Sequence, residues 1–255
     1  MATIIALTNQ KGGVGKTTTA CALADGLAAK GKKVLGIDLD PQGNMGFSLG
    51  LDIENCHTLY DVFKKVVPAR QAIQHTDCCD MISSDIMLSS VELEFNGAGR
   101  EFLLRNAIAD VAADYDYIVI DTPPSLNILT VNAYVVANHL IIPMSPEILS
   151  LLGVAQIKET VDNVRASFNP NLNVLGILLT KYNRRTLLAQ EVSEMADNIA
   201  KQLNTVVFQR KIRTSVAAAE APAHGESILT YAPKSNPAFD YSGLISEIAT
   251  ALKIN

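Results

Sequence analysis

Short runs of apolar, mostly β-branched residues alternate along this chain with longer stretches of mixed polarity. The runs fall at Thr3–Leu7, Lys33–Ile37, Met81–Ser83, Tyr117–Ile120, His139–Pro143, Val174–Leu179 and Thr205–Phe208. Each has the length of a strand and is apolar on both faces rather than on alternate residues, the pattern of strands covered from both sides. Between them, helical periodicity predicts helices near 16–30, 58–65, 86–95, 101–113, 127–137, 151–167, 187–202 and 239–252. Strands alternating with helices predict an α/β fold, a mostly parallel twisted sheet with helices on both faces. No internal repeat, low-complexity tract or linker interrupts it, so one domain is expected over 1–255. In such a sheet ligands sit beyond the carboxyl ends of the strands, and the polar residues closing each strand are the ones that bear on chemistry.

The first run closes on Gln10-Lys11-Gly12-Gly13-Val14-Gly15-Lys16-Thr17-Thr18, just before a predicted helix. A glycine-rich loop between a strand and a helix turns backbone N–H groups toward one point at the positive end of the helix dipole, where phosphates bind. Gly12, Gly13, Val14, Gly15 and Thr18 are expected to line that cradle, Lys16 to reach the β- and γ-phosphates, and the Thr17 hydroxyl to complete a Mg²⁺ shell. The general pattern asks for glycine where this chain has Gln10, and Lys11 has no job inside its own loop.

That variant, K-G-G-x-G-K-T-T, resembles the deviant Walker A ATPases, a P-loop family that includes the partition ATPases ParA and Soj, the division-site ATPase MinD and the nitrogenase iron protein. The resemblance implies a single-domain P-loop NTPase that hydrolyses ATP, with ATP and Mg²⁺ as cofactors. It also implies a face-to-face homodimer over two ATP molecules, with Lys11 reaching the partner's nucleotide.

Further strand ends extend the match. The second closes on Asp38-Leu39-Asp40-Pro41-Gln42-Gly43-Asn44. Asp38 is placed to orient Mg²⁺-bound water and Asp40 to hold the water that attacks the γ-phosphate. The alternative is a polar turn imposed by Pro41 and Gly43. The run resembles the switch I segment of the ParA/Soj branch. Tyr117–Ile120 closes on Asp121-Thr122-Pro123-Pro124-Ser125, a Walker B pattern in which Asp121 holds a water of the Mg²⁺ shell. The stretch through Thr130 resembles switch II, with Asn127 where the family commonly has glycine. Thr180-Lys181-Tyr182-Asn183 and Phe208-Gln209-Arg210-Lys211-Ile212 are similar to the family's adenine-side loops, making Lys181, Gln209 and Arg210 candidate base contacts. Glu220-Ala221-Pro222-Ala223-His224-Gly225 resembles the E-A-P-x-x-G motif of ParA/Soj proteins.

Charge and cysteines then narrow the partners. The net charge of −5 argues against a generally basic nucleic-acid binder. Residues 181–213 nonetheless carry Lys181, Arg184, Arg185, Lys201, Arg210, Lys211 and Arg213 against three acids, a cluster that suits either a solvated face or a DNA contact. By resemblance the partners are non-specific DNA and a ParB-like centromere-binding protein. Ala217, however, stands where many family members carry a DNA-binding arginine. The alternative is a MinD-like membrane-surface ATPase. Against it, residues 239–255 carry apolar positions but only Lys253 as a cation, so no membrane partner is expected. The longest apolar candidate, Tyr134–Pro143, is broken by Asn138 and His139, too short to span a bilayer. Four cysteines without metal spacing, and an N-terminus running straight into the first strand, lead to an expected cytoplasmic, nucleoid-associated location.

Overall fold

The computed structural model describes residues 2–53 and 55–254, and the backbone alone of 148–155. Seven strands form one sheet: β1 (Thr3–Leu7), β2 (Val34–Asp38), β3 (Gln74–His75), β4 (Asp80–Ile82), β5 (Tyr117–Asp121), β6 (His139–Met144) and β7 (Asn173–Leu179), in the order β3-β4-β2-β5-β1-β6-β7. All neighbours are parallel except the short β3–β4 hairpin. From β1 the chain crosses over β5 to β2, and from β5 it crosses over β1 to β6 in the other direction. The carboxyl ends of β1 and β5 therefore sit at the point where the connections diverge, which leaves a crevice there.

The two-residue period of a strand sorts the core into two layers. Ile5 and Leu7 of β1, with Tyr117 and Val119 of β5, pack under helix α1 (Lys16–Ala28) and the C-terminal helix Asn236–Ala251. Ala6, Ile118 and Ile120 face the opposite layer, built from helices Ile128–Val136, Ile148–Ser167 and Leu187–Gln202. The C-terminal helix starts at Asn236, earlier than its apolar pattern indicates. Ser235 caps it by accepting from Ala238 N–H, and Pro237 sits in its first turn, where a missing N–H costs nothing.

Three predicted elements are redrawn. The helices expected at 86–95 and 101–113 are each broken into 3₁₀ and α pieces, Ile86–Ser90 with Val91–Glu94, and Arg100–Phe102, Leu103–Ala107 and Ala112–Asp114. Thr205–Phe208 is not a strand. It meets β7 through one bridge, Ile177 with Val207, and then leaves, because the N–H groups of Gln209 and Arg210 are taken by the Glu247 carboxylate at 2.9 and 3.2 Å. The Phe208 ring packs against the bare Cα of Gly176, where an added Cβ would lie 2.5 Å from the nearest ring carbon. Gly176→Val is therefore expected to destabilise the fold by about 1–3 kcal/mol through overpacking. Urea denaturation followed by circular dichroism measures the loss.

Candidate active site

The phosphate loop begins where β1 ends and is held by long-range bonds. Thr8 N–H donates to Ile141 O at 3.0 Å, and the buried Asn9 donates its side-chain amide to Pro143 O at 2.7 Å while its Oδ1 accepts from Lys11 N–H at 2.9 Å. Gly13 and Gly15 have φ of +73° and +83°, a left-handed backbone that glycine adopts without strain. Gly15 is the N-cap of α1 and carries no side chain to occupy the first-turn N–H groups, so these stay available to an anion.

Around this loop the charges are arranged in two sets. Lys16 is 6% exposed, with its ammonium 3.4 Å from Lys11 O. Burial lowers its pKa, while Asp121 and Asp40 oppose that shift. The Thr17 hydroxyl donates to Asp121 Oδ2 at 2.6 Å. Asp121 Oδ1 is buried with no hydrogen-bond partner. Asp38 and Asp121 stand side by side in register on β2 and β5, both fully buried. Asp38 accepts from the N–H groups of Asp40 and Met45 at 2.9 and 2.8 Å. Burial, then repulsion from Asp121, raises the Asp38 pKa well above the carboxylate range. Burial also pushes Asp121 up to about 7, against the Thr17 hydrogen bond and the Lys16 charge. Asp40 lies at the cavity edge, its Oδ1 accepting from Gln42 N–H at 3.1 Å and its carbonyl from the Ser84 hydroxyl.

Hard carboxylate and hydroxyl oxygens, one of them orphaned, fit Mg²⁺. Among the described residues no three acidic, His or Cys side chains converge as a cage. That too suits Mg²⁺, which usually takes one or two protein ligands and completes its shell with phosphate oxygens and water. Thr17 is the residue that would hold the ion directly, with Asp38 and Asp121 acting through its water.

The loop opens into a cavity of about 600 Å³. Lys181, Asp40 and the loop glycines line one part, Ile212–Ser215 and Tyr241 another. Gln209 and Arg210 are not in its wall. The chain passes them on the outside and turns in two residues later, where Arg213 is locked by Asp240 through bonds of 2.8 and 2.7 Å. Asn9 and Glu147 are not signalled by the sequence, and Arg213 is signalled there only as one of the basic cluster, because what places each is a partner 27 or more residues away.

A family model described as an AAA domain matches residues 2–174. The chain is 40% identical over 251 residues to the chromosome partitioning protein ParA of Caulobacter vibrioides, covering 96% of this chain and 93% of that one. It is also 40% identical over 255 residues to the sporulation initiation inhibitor protein Soj of Bacillus subtilis, covering 98% and 99%. The chain belongs to the ParA/Soj family of P-loop ATPases. A solved structure of cobyrinic acid a,c-diamide synthase from Mycobacterium smegmatis, with bound ATP analog and magnesium, superposes with a TM-score of 0.86 at 32% identity, covering 100% and 97%. As a member of this family the protein is an ATPase working with ATP and Mg²⁺.

Neutralising one of two adjacent buried carboxylates should separate stability from catalysis. Asp121→Asn is expected to stabilise the nucleotide-free protein by roughly 1 kcal/mol in urea while lowering Mg²⁺-dependent phosphate release by roughly 100-fold or more.

Proposed function

We propose that this ATPase is a dimerising switch in chromosome or plasmid partition: ATP closes two copies face to face, the closed dimer holds DNA without sequence preference, and a ParB-like protein triggers hydrolysis. The observation that carries the reading is Lys11. Lys16 already serves the loop of its own subunit, whereas the Lys11 ammonium turns away and pairs with Glu147, the N-cap of helix Ile148–Ser167. That ion pair is solvent-exposed and of little energetic worth, so the cation can exchange Glu147 for a second subunit's triphosphate. Gly12, next to it, faces open space, with no atom within 4 Å of an added Cβ. That open face is where the second protomer is proposed to pack.

Hydrolysis of this kind requires positioning and charge neutralisation more than covalent chemistry. Mg²⁺, when bound, neutralises phosphate charge and relieves the repulsion between Asp38 and Asp121. Asp40 is the group proposed to hold the attacking water, Lys16 offsets charge on the phosphates, and Lys11 from the partner adds a further cation. No arginine lies in the loop itself, so slow intrinsic turnover and control by a partner are expected.

For DNA, three of the candidate cations are already engaged. Arg213 is held by Asp240, Lys211 bonds Ser193 at 2.8 Å and sits 4.5 Å from the Tyr182 ring centre, and Arg210 lies along the C-terminal helix at Gly243. Arg184 and Arg185, exposed at the head of helix Leu187–Gln202, are the pair proposed to meet DNA. The membrane alternative is disfavoured because Leu244, Ile245 and Ile248 of the C-terminal helix are buried against the sheet. Among the described residues no helix is long and apolar enough to cross a membrane.

The test combines light scattering with DNA titration. Wild-type protein is expected to dimerise with Mg-ATP and to bind duplex DNA with a salt slope of roughly −0.9 per phosphate contacted. Lys11→Ala is expected to bind ATP yet stay monomeric and leave DNA free. An ordinary ATP-dependent dimer in that variant refutes the role of Lys11, and no DNA binding by the wild type at low salt refutes the DNA arm.

A further inference from the structure

Lys181 was expected on the adenine side, and its surroundings point elsewhere. The preceding residue, Thr180, is 2% exposed and clamps the end of β7 to the phosphate loop: its hydroxyl donates to Val14 O at 2.8 Å, and its N–H to Met144 O at 2.9 Å. The following residue, Tyr182, donates its N–H to Ile212 O at 2.9 Å. Between these two anchors Lys181 takes a φ of +49°, a left-handed conformation uncommon outside glycine and asparagine. Such strain persists only where neighbouring contacts impose it, and it recurs at ligand sites. It aims the side chain back across the loop. A methyl group built on Gly13 would lie 3.9 Å from the Lys181 ammonium nitrogen.

That places the ammonium over the loop whose N–H groups form the anion cradle, in the wall of the same cavity as Lys16, Thr17 and Thr18. Its charge also reaches the Glu147 carboxylate, whose pKa is held down first by Lys11, then by Ser145, with Lys181 contributing last. From this geometry we infer that Lys181 is a phosphate-binding residue acting within its own subunit, a third cation on the triphosphate beside Lys16 and the partner's Lys11, and not a base contact. The inference rests on the nucleotide site described above. It gives the site a cation in cis, supplied by the loop that follows β7, that the loop motif does not contain. Glycine at position 13 is required for its left-handed backbone, and a methyl group added there would be in ordinary contact with the lysine.

Phosphate and base roles separate in binding, without turnover. Isothermal titration with AMPPNP and GMPPNP in the presence of Mg²⁺ compares wild type, Lys181→Met and Lys181→Arg, each checked for unchanged thermal unfolding without nucleotide. Lys181→Met is expected to weaken AMPPNP about tenfold and GMPPNP by the same factor, and Lys181→Arg to recover most of the loss. Affinity within about twofold of wild type marks a solvated lysine and overturns the inference. A change of more than about fivefold in the AMPPNP-to-GMPPNP ratio restores the base contact and overturns it equally. Failure of the wild type itself to bind AMPPNP removes the nucleotide site, a distinguishable result.

Discussion

Charge at the carboxyl ends of the strands is left unbalanced by the fold, and the rest of the site follows from that. Asp38 and Asp121 are brought side by side and buried by the parallel register of β2 and β5, with the Lys16 charge acting on Asp121 alone of the two. Across the crevice, α1 presents its free first-turn amides, and Lys16 loses hydration to burial. The two sets meet at one point, the Thr17 hydroxyl on Asp121, and are held in place by the loop on one side and the sheet on the other. A divalent cation satisfies the acids, and polyphosphate satisfies the amides and lysines. Magnesium nucleotide supplies both at once.

The same pinning extends outward from the acids. Asp38 fixes the start of helix Asn44–Ser48 through Met45 N–H, and Ser84 holds the Asp40 carbonyl. At the end of that segment Gly50 meets Gly225 of the Glu220–Gly225 run backbone to backbone, where a Cβ on Gly225 would lie 2.8 Å from Gly50 Cα. The loop after β2 is therefore packed against the C-terminal part of the chain through a contact that admits no side chain. Its position reports on Asp40 at one end and on residues 217–225 at the other.

Much of this was legible from residue order. The Gly12–Gly15 loop, the acids closing β2 and β5, and the α/β fold with helices on both faces announce themselves through local patterns, since strand, loop and helix there are neighbours in the chain. What stayed hidden depends on contacts between distant segments. Thr205–Phe208 has the composition of a strand, yet Glu247 claims the N–H groups that would have continued the ladder. The same capture moves Gln209 and Arg210 outside the cavity and brings Arg213 into its wall. Lys181 reads as a polar strand terminus, and only the Thr180 clamp on Val14 turns it over the loop. The Lys11 pairing with Glu147 spans 136 residues, and nothing near either one in sequence signals it.

Lys11 acts either on the nucleotide of its own subunit or on that of its neighbour. Mixing Lys11→Ala with Asp40→Ala subunits decides it. In the mixed dimer the Lys11→Ala subunit keeps its own Asp40 and faces an intact Lys11 from its partner. Action across the interface predicts phosphate release from the mixture, approaching about half the wild-type rate per mixed dimer, although neither variant alone turns over. If the mixture is as inactive as its two components, Lys11 serves its own site and the dimeric switch has no physical basis.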